Sequence, residues 1–164
     1  MNKLNFGCGT NILKGFVNVD VQKAPQIDKS FNFEKFPYPL EDNTFDYIIA
    51  DNVLEHLSHL DKVVEELWRI SKPNAKIRVI VPYWNASGMY QDWTHVNFMN
   101  EVAVKHLFLN PGYKYDKRVL FKNLKITFIK NRFVKTFPDR LVWWMAKMLN
   151  NMIMAMDIEV EVLK

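Results

Sequence analysis

The chain has 164 residues, of which 49% are hydrophobic, and these values fit one domain with a single core. Its one cysteine, Cys8, excludes an internal disulfide, and the first residues lack the basic-then-apolar pattern of a signal peptide. The formal net charge of +4 does not by itself select a partner. We therefore expect a cytoplasmic protein with a single domain at residues 1–164.

Apolar segments with strand spacing alternate with helical segments, which favours an α/β fold with a mainly parallel sheet. The first four predicted strands are Leu4–Phe6, Phe16–Asp20, Asp46–Ala50 and Ile77–Val81. Between the last two strands, apolar residues at helical spacing predict a helix at Leu60–Ile70. Its charged residues, Glu66 and Arg69 among them, are interpreted as a solvated face.

The turn after the first strand carries two glycines, Gly7 and Gly9, and the second strand ends at Asp20. Glycines let the backbone approach a ligand closely, and an acidic residue at a strand tip can accept both hydroxyls of a ribose. The pair therefore indicates an adenosine-like ligand, although a lone Gly-x-Gly is also typical of an ordinary tight turn. Cys8 has no base near it in sequence and is interpreted as a small space-filling residue.

Alternating patterns at Val119–Ile129 and Asp157–Leu163 predict two late strands. The segment between them, Pro138–Met156, is predicted to contain a helix, and its polar residues are too frequent for a membrane span. Its apolar surface could pack on the sheet, form a homodimer face or lie in a membrane interface.

Positive charge is concentrated at Lys114–Lys147, which has ten lysines and arginines against two acidic residues. This excess could meet a phosphate-bearing substrate, an anionic membrane surface or nucleic acid. An ordinary solvated surface explains it equally well.

Three segments in order carry a family resemblance: Pro37–Asp46 before a strand, Asp51–Leu57 after it, and Lys72–Ala75 before a strand that ends at Pro82. From Met1 to about Leu107, the chain resembles class I S-adenosylmethionine-dependent methyltransferases of the small type 11 branch. The resemblance implies a Rossmann-like sheet, mostly parallel with an antiparallel last strand. It also implies methyl transfer with S-adenosylmethionine as cofactor.

The resemblance divides the chain into a cofactor-binding core, 1–107, and a basic and apolar part, 108–164, that completes the sheet. Asn32 falls where related sequences often have an acidic residue near the adenine. The cofactor contacts implied are Gly7, Cys8, Gly9, Asp20, Val21, Asn32, Asp51, Asn52 and Val53.

One departure from the family concerns the first crossover, where only Gly7–Gly15 separates two strands. A parallel crossover usually takes a dozen or more residues and includes a helix. We therefore predict that the first crossover helix is reduced to a loop. This leaves open a more exposed methionine end of the cofactor, weak affinity or a lost activity.

Candidate catalytic residues follow the fourth strand, because ligands of open α/β sheets lie beyond the carboxyl ends of the strands. We predict His95 as a base toward a hydroxyl or amine and Asp92 as its orienting group or a substrate contact. Tyr83 and Trp84 are predicted walls of the substrate pocket.

The histidines have no metal-ligand spacing, and no metal site is predicted. Glu55 and His56 fit helix capping or packing as readily as catalysis.

Three functions stay open on the sequence. The first is methyl transfer to a small or lipid-linked saccharide, which comes from the family branch alone. The second is a protein that modifies or binds nucleic acid, favoured by the basic segment. The third is a cofactor-binding domain without methyl transfer, favoured by the shortened crossover.

Overall fold

The computed structural model describes residues 1–109 and 119–164, so the part of the basic segment from 114 to 118 lies outside the described residues. The strands are β1 (Lys3–Phe6), β2 (Val17–Asp20), β3 (Lys29–Ser30), β4 (Phe45–Asp51), β5 (Ser71–Pro82), β6 (Phe121–Lys130) and β7 (Ile153–Val162). The helices are α1 (Leu60–Ile70), α2 (Ser87–Gln91), α3 (Glu101–Leu109) and α4 (Asp139–Ala146), with 3₁₀ turns at Leu54–His56 and Arg132–Val134.

All seven described strands form one sheet in the order β3-β2-β1-β4-β5-β7-β6. The pairs among β1 to β5 are parallel, whereas β7 runs antiparallel to both β5 and β6. The predicted Rossmann-like sheet with an antiparallel last strand is confirmed. Strands from both 1–107 and 108–164 join this sheet, while the number of domains stays a prediction.

The prediction for Pro138–Met156 was wrong in its extent, because the helix α4 ends at Ala146 and β7 already begins at Ile153. Ile153 and Met156 are fully buried in the sheet core. Apolar content alone does not separate a helix from a buried strand, so the boundary could not be located by periodicity.

Helix α1 is where the sequence placed it, and its apolar stripe of Val63, Val64, Leu67 and Ile70 is buried. The solvated-face interpretation was wrong for two of its charged residues. Glu66 is buried, and its Oε2 accepts hydrogen bonds from the Tyr38 backbone N–H at 2.6 Å and from Arg69 at 2.7 Å. Arg69 also donates to the Tyr38 carbonyl oxygen at 3.1 Å, so this pair fastens the segment before β4 to the helix.

The connection from β1 to β2 contains no helix, as predicted, and a buried asparagine pair holds it in place. Asn5 Nδ2 donates to Asn18 Oδ1 at 2.9 Å and to the Asn11 carbonyl oxygen at 2.8 Å. Asn18 in turn accepts from the Leu13 N–H at 2.9 Å and donates to the Leu13 and Phe16 carbonyl oxygens. Side-chain amides thus satisfy backbone groups that helical hydrogen bonds would otherwise satisfy.

Membrane-spanning helices are absent from the described residues, none of whose helices is both long and apolar enough to cross a bilayer.

We expect Asn18→Ala to lower the free energy of unfolding by about 2–3 kcal/mol, because it strips partners from the Leu13 N–H and the Asn5 amide. Urea unfolding measures this change. Asn11→Ala is the matched control, since its exposed side chain lies in the same loop. A loss for Asn18→Ala no larger than that of the control would contradict the role given to the pair.

Candidate active site

The two glycines after β1 are held at the carboxyl end of β2, and they have different neighbours. The backbone N–H groups of Gly7 and Cys8 both donate to the Val19 carbonyl oxygen, at 2.9 and 3.0 Å. Gly7 has φ +72°, and a Cβ there would lie 2.3 Å from Val53 Cγ2. Gly9 has φ +48°, and a Cβ there would meet no atom within 4 Å. Gly7 is therefore required by packing, whereas Gly9 borders open space.

Asp20 lies at the tip of β2 as predicted, and the glycine turn orients its carboxylate. Oδ2 accepts from the Gly9 N–H at 2.7 Å, and Oδ1 accepts from the Gln22 N–H at 2.9 Å. A carboxylate has about four lone-pair sites, so each oxygen keeps one for a further donor. Val21 follows with 59% of its surface exposed, an apolar side chain beside the acid.

Cys8 is buried under this turn. Burial, followed by the charge of Asp20, raises the pKa of its thiol. A protonated, buried thiol agrees with the space-filling interpretation.

The remaining predicted cofactor residues lie at the same edge of the sheet, after β3 and β4. Asn32 is exposed and accepts from the Glu34 N–H at 2.8 Å. Asn52 has φ +52°, donates its backbone N–H to the Ile80 carbonyl oxygen at 2.9 Å, and donates its amide to Asp51 Oδ1 at 2.8 Å. Val53 is buried against Gly7. The parallel strands thus bring together residues from four separate segments.

The turn after β4 presents Glu55, whose side chain is fully buried and caps no helix. Neither carboxylate oxygen has a hydrogen-bond partner among the described residues. Burial raises the pKa of Glu55 to about 7. A capping role, one of the interpretations from the sequence, does not describe this residue.

The backbone of Glu55 fastens the loop that carries the predicted catalytic residues. Its carbonyl oxygen accepts from the N–H groups of Val96 and Asn97, at 2.8 and 3.1 Å. The Asn97 amide donates to the carbonyl oxygens of Leu54 and Leu57, at 3.2 and 2.6 Å. These bonds place His95 next to His56, with ring centroids 4.6 Å apart.

The Asp92 carboxylate has no hydrogen bond to the His95 ring among the described residues, although the His95 backbone N–H donates to the Asp92 carbonyl oxygen at 3.3 Å. Direct orientation of the ring by this carboxylate is therefore not seen, while a substrate contact stays a prediction. Asp92 Oδ1 accepts from the Thr94 hydroxyl at 2.6 Å, and Thr94 Oγ1 lies 2.8 Å from His56 Nδ1. The hydroxyl has one proton, which it donates to the carboxylate, so it accepts from His56 Nδ1–H. Burial, followed by the proximity of His95, lowers the pKa of His56. His56 is therefore a neutral ring with its lone pair on Nε2.

His95 is fixed in the same way by a different partner. Its Nδ1 lies 2.9 Å from the Met89 carbonyl oxygen, which can only accept. In the neutral ring, the proton is therefore on Nδ1 and the lone pair on Nε2. The two rings lie near Glu55, since one potential ligand atom from each of the three residues lies within 4.8 Å of the others.

Tyr83 is not a pocket wall, because it is 3% exposed and its hydroxyl donates to Glu101 Oε2 at 3.1 Å. Burial raises its pKa to about 12. Trp84 is 38% exposed and stays a candidate, with Tyr90 and Trp93 further along the same loop at 64% and 93%.

Sequence reasoning undervalued Glu55, His56 and Thr94. The available signal was that Leu54-Glu55-His56-Leu57 and Asp92-Trp93-Thr94-His95 each follow the carboxyl end of a strand, β4 and β5, in a parallel sheet. Segments in those two positions meet at one edge.

A cavity of about 530 Å³ lies elsewhere, bordered by Lys3, Val17, Lys29 and Phe45. These residues begin or nearly begin β1, β2, β3 and β4, so the cavity opens at the amino edge of the sheet. It is on the opposite side from the glycine turn and does not belong to this site.

Comparisons with known proteins agree with this geometry. The family model described as "Methyltransferase domain" matches residues 4–79. An uncharacterized protein of Methanocaldococcus jannaschii is 33% identical over 89 residues, which cover 48% of this chain and 39% of that protein. The chain therefore spans well under half the length of this curated relative.

Solved structures with the same fold cover 99% of this chain. A SAM dependent methyltransferase from Archaeoglobus fulgidus has TM-score 0.70 and 16% identity over 86% of that chain. Phosphoethanolamine N-methyltransferase 2 of Haemonchus contortus, in complex with S-adenosyl-L-methionine, has TM-score 0.63 and 13% identity over 48% of that chain. The [4+2]-cyclase SpnF has TM-score 0.62 and 14% identity over 75% of that chain. At sequence identities this low, the similarity shows the fold alone.

The family match and the fold confirm the predicted resemblance. Residues 4–79 match the model of a methyltransferase domain, so this part of the chain is similar to S-adenosylmethionine-dependent methyltransferases of class I, type 11.

We expect Glu55→Gln to change how stability depends on pH. The raised pKa of Glu55, about 7 against the ordinary 4.5, means that the folded protein holds this proton more tightly than the unfolded chain. The free energy of unfolding therefore falls as pH rises from about 4.5 to about 7, by up to about 3 kcal/mol, and stays lower above that range. Glu55→Gln should lack this fall.

Urea unfolding at several pH values, with a chelator present, measures the difference. Glu41→Gln, at an exposed position, is the control and should follow the wild-type curve. Parallel curves for Glu55→Gln and wild type would contradict the burial of an ionisable carboxyl group.

Proposed function

We propose that this protein binds S-adenosylmethionine at the Gly7–Gly9 turn and transfers its methyl group to a hydroxyl or amine of a small or lipid-linked saccharide. One observation carries the proposal. A glycine turn that borders open space lies at the same sheet edge as two histidine rings, whose neutral forms hold a lone pair on Nε2. Val53 joins the two parts, because it packs on Gly7 and lies two residues before Glu55.

The cofactor part of the proposal rests on Asp20 and its neighbours, although only 7% of the Asp20 surface is exposed. Asp20 keeps lone pairs for ribose hydroxyls while the Gly9 and Gln22 N–H groups orient it. Exposed Val21 offers an apolar surface to the adenine, while Asp51 ends β4 and Asn52 follows it at the same sheet edge, on the other side of β1. The amino-acid end of the cofactor has no first-crossover helix to close over it, which favours modest affinity.

The reaction is a displacement at the methyl carbon. The bond from sulfur to the methyl group breaks, the bond from the acceptor oxygen or nitrogen to that carbon forms, and the sulfonium becomes a neutral thioether. The acceptor's proton passes to His95 Nε2 and then to solvent. Because the sulfonium is already a strong leaving group, alignment and exclusion of water contribute more than the base.

Two surfaces support an acceptor with both a ring and an anionic or lipid part. Trp84, Tyr90 and Trp93 are exposed in the segment between β5 and His95, which includes α2, and they offer faces for a ring. This segment is tied to the connection after α4, since the Asn85 amide donates to the Ala146 carbonyl oxygen at 2.7 Å.

Helix α4 and that connection carry the second surface, where Trp144 of α4 and Met148 of the connection are 59% and 74% exposed. Part of the local positive charge is already paired. Lys122 lies 3.0 Å from Glu161, and Lys130 lies 2.8 Å from Asp139. We propose that this face meets the phosphate or lipid portion of the substrate, while a homodimer through Pro138–Met156, a membrane surface and nucleic acid remain alternatives to be tested.

We expect Gly9→Ala to weaken binding of S-adenosylmethionine and S-adenosylhomocysteine by about 10- to 100-fold, because the added methyl group enters space that the ligand would fill. Isothermal titration calorimetry measures the affinity. Gly15→Ala is the matched control: φ is +80°, no atom lies within 4 Å of its Cβ, and the residue follows the turn. Equal affinities for the two variants would place the cofactor elsewhere, and no saturable binding to the wild type would reject the function.

We expect transfer of labelled methyl from S-adenosylmethionine to a member of a panel of nucleotide sugars and lipid-linked saccharides. His95→Asn should lower turnover by about 10²- to 10⁴-fold with little change in cofactor affinity. His59→Asn is the control, because this exposed histidine is paired with Glu34 outside the site. Methylation of RNA and of no saccharide in the panel would overturn the proposed substrate class.

A further inference from the structure

We propose that Glu55, His56 and His95 form a binding site for a divalent transition-metal ion. One potential ligand atom from each residue lies within 4.8 Å of the other two. Ligands of a four- or six-coordinate ion at about 2.0–2.2 Å are separated by about 3 Å or somewhat more. The separation of up to 4.8 Å is wider than this, so the three side chains would have to close on the ion.

Glu55 gives the first reason for a cation. Its side chain is fully buried, yet neither carboxylate oxygen has a partner among residues 1–109 and 119–164. A carboxyl group taken out of water without a partner costs free energy, and buried charges are ordinarily paired or bound to a metal. His56 and His95 lie closest to it as potential ligands and are partly exposed, so an ion can reach the carboxylate past them.

The orientation of the two imidazoles gives the second reason. Each has its Nδ1 engaged, His56 with the Thr94 hydroxyl and His95 with the Met89 carbonyl oxygen, which leaves the lone pair on Nε2. Metal-bound histidines almost always donate their other N–H in this manner, which fixes the tautomer and increases ligand basicity. The chain from Asp92 through Thr94 to His56 is such an arrangement.

The site is also held in shape before any ion binds. Hydrogen bonds from Val96 and Asn97 to the Glu55 carbonyl oxygen join the two segments that supply the ligands. The Asn97 amide fastens the turn of Glu55 and His56 from both ends. Little ordering therefore opposes binding.

Two imidazole nitrogens and one carboxylate favour zinc, manganese, iron or cobalt over magnesium or calcium, which prefer oxygen ligands. Three protein ligands leave positions open, as in catalytic rather than structural sites. One consequence rests on the proposed function: an acceptor hydroxyl bound at an open position becomes more acidic. With the ion bound, His95 would be a ligand instead of the base, the ion would lower the pKa of the acceptor hydroxyl, and the proton would pass to solvent water.

The test is calorimetric titration of tag-free, EDTA-treated full-length protein with Zn²⁺, Co²⁺ and Mn²⁺. We expect one ion per chain for at least one of them, and a rise in the melting temperature. No saturable binding of any of the three ions by the folded protein would overturn the proposal.

Variants show whether the ion binds at these three residues or at another position of the chain. Glu55→Gln and His95→Asn should each weaken binding by at least about 100-fold, and Thr94→Val, which removes the partner of His56, by about 10- to 100-fold. His59→Asn, at an exposed histidine beside Glu34, should bind as the wild type does. Circular dichroism establishes that each variant is folded. Unchanged affinity in both Glu55→Gln and His95→Asn would assign the ion to another site and overturn the proposal.

This readout needs neither S-adenosylmethionine nor an acceptor, so it can fail independently of the proposed function. Metal binding without cofactor binding would uphold the site and reject methyl transfer. If the protein binds the cofactor and transfers methyl groups but binds none of the ions, the proposed function is upheld and the metal site is rejected.

Discussion

The candidate site depends on one short turn, Val53–His56, at the carboxyl end of β4. On one side, the Val53 side chain packs so closely on Gly7 that no Cβ fits there. On the other side, the Glu55 carbonyl oxygen holds the loop of His95 through two backbone hydrogen bonds. The glycine turn and the histidine pair are therefore placed relative to each other by backbone and packing, and a shift of this turn would move both.

Two networks of side-chain hydrogen bonds hold segments that have no regular secondary structure. The first crossover has no helix, and the buried amides of Asn5 and Asn18 satisfy its backbone instead. Elsewhere, Glu66 and Arg69 bind the backbone at Tyr38 and fasten the segment that leads into β4. Both networks are polar and partly or fully buried, so losing one partner leaves another unsatisfied.

The chemistry of the site follows from burial at this edge. His56 is held neutral by desolvation, and Glu55 has a raised pKa for the same reason. Neutral imidazoles with Nε2 lone pairs can accept a proton or bind a cation, whereas protonated ones can do neither. The adjoining segment has exposed aromatic residues, Trp84 and Trp93 among them. These side chains offer apolar contact area to a substrate.

The sequence alone determined six of the seven described strands, the helix α1, the missing crossover helix and the glycine turn followed by Asp20, while β3 was not predicted. Each of these depends on local spacing or on the chemistry of a few adjacent residues. Only the tertiary structure decided the roles of Glu55, Glu66 and Tyr83. Charged or polar residues next to apolar ones have the same pattern whether they face water or the interior, and burial is set by segments far along the chain. Glu55 is covered by a loop some forty residues later, whose Asn97 bonds to Leu54 across 43 positions.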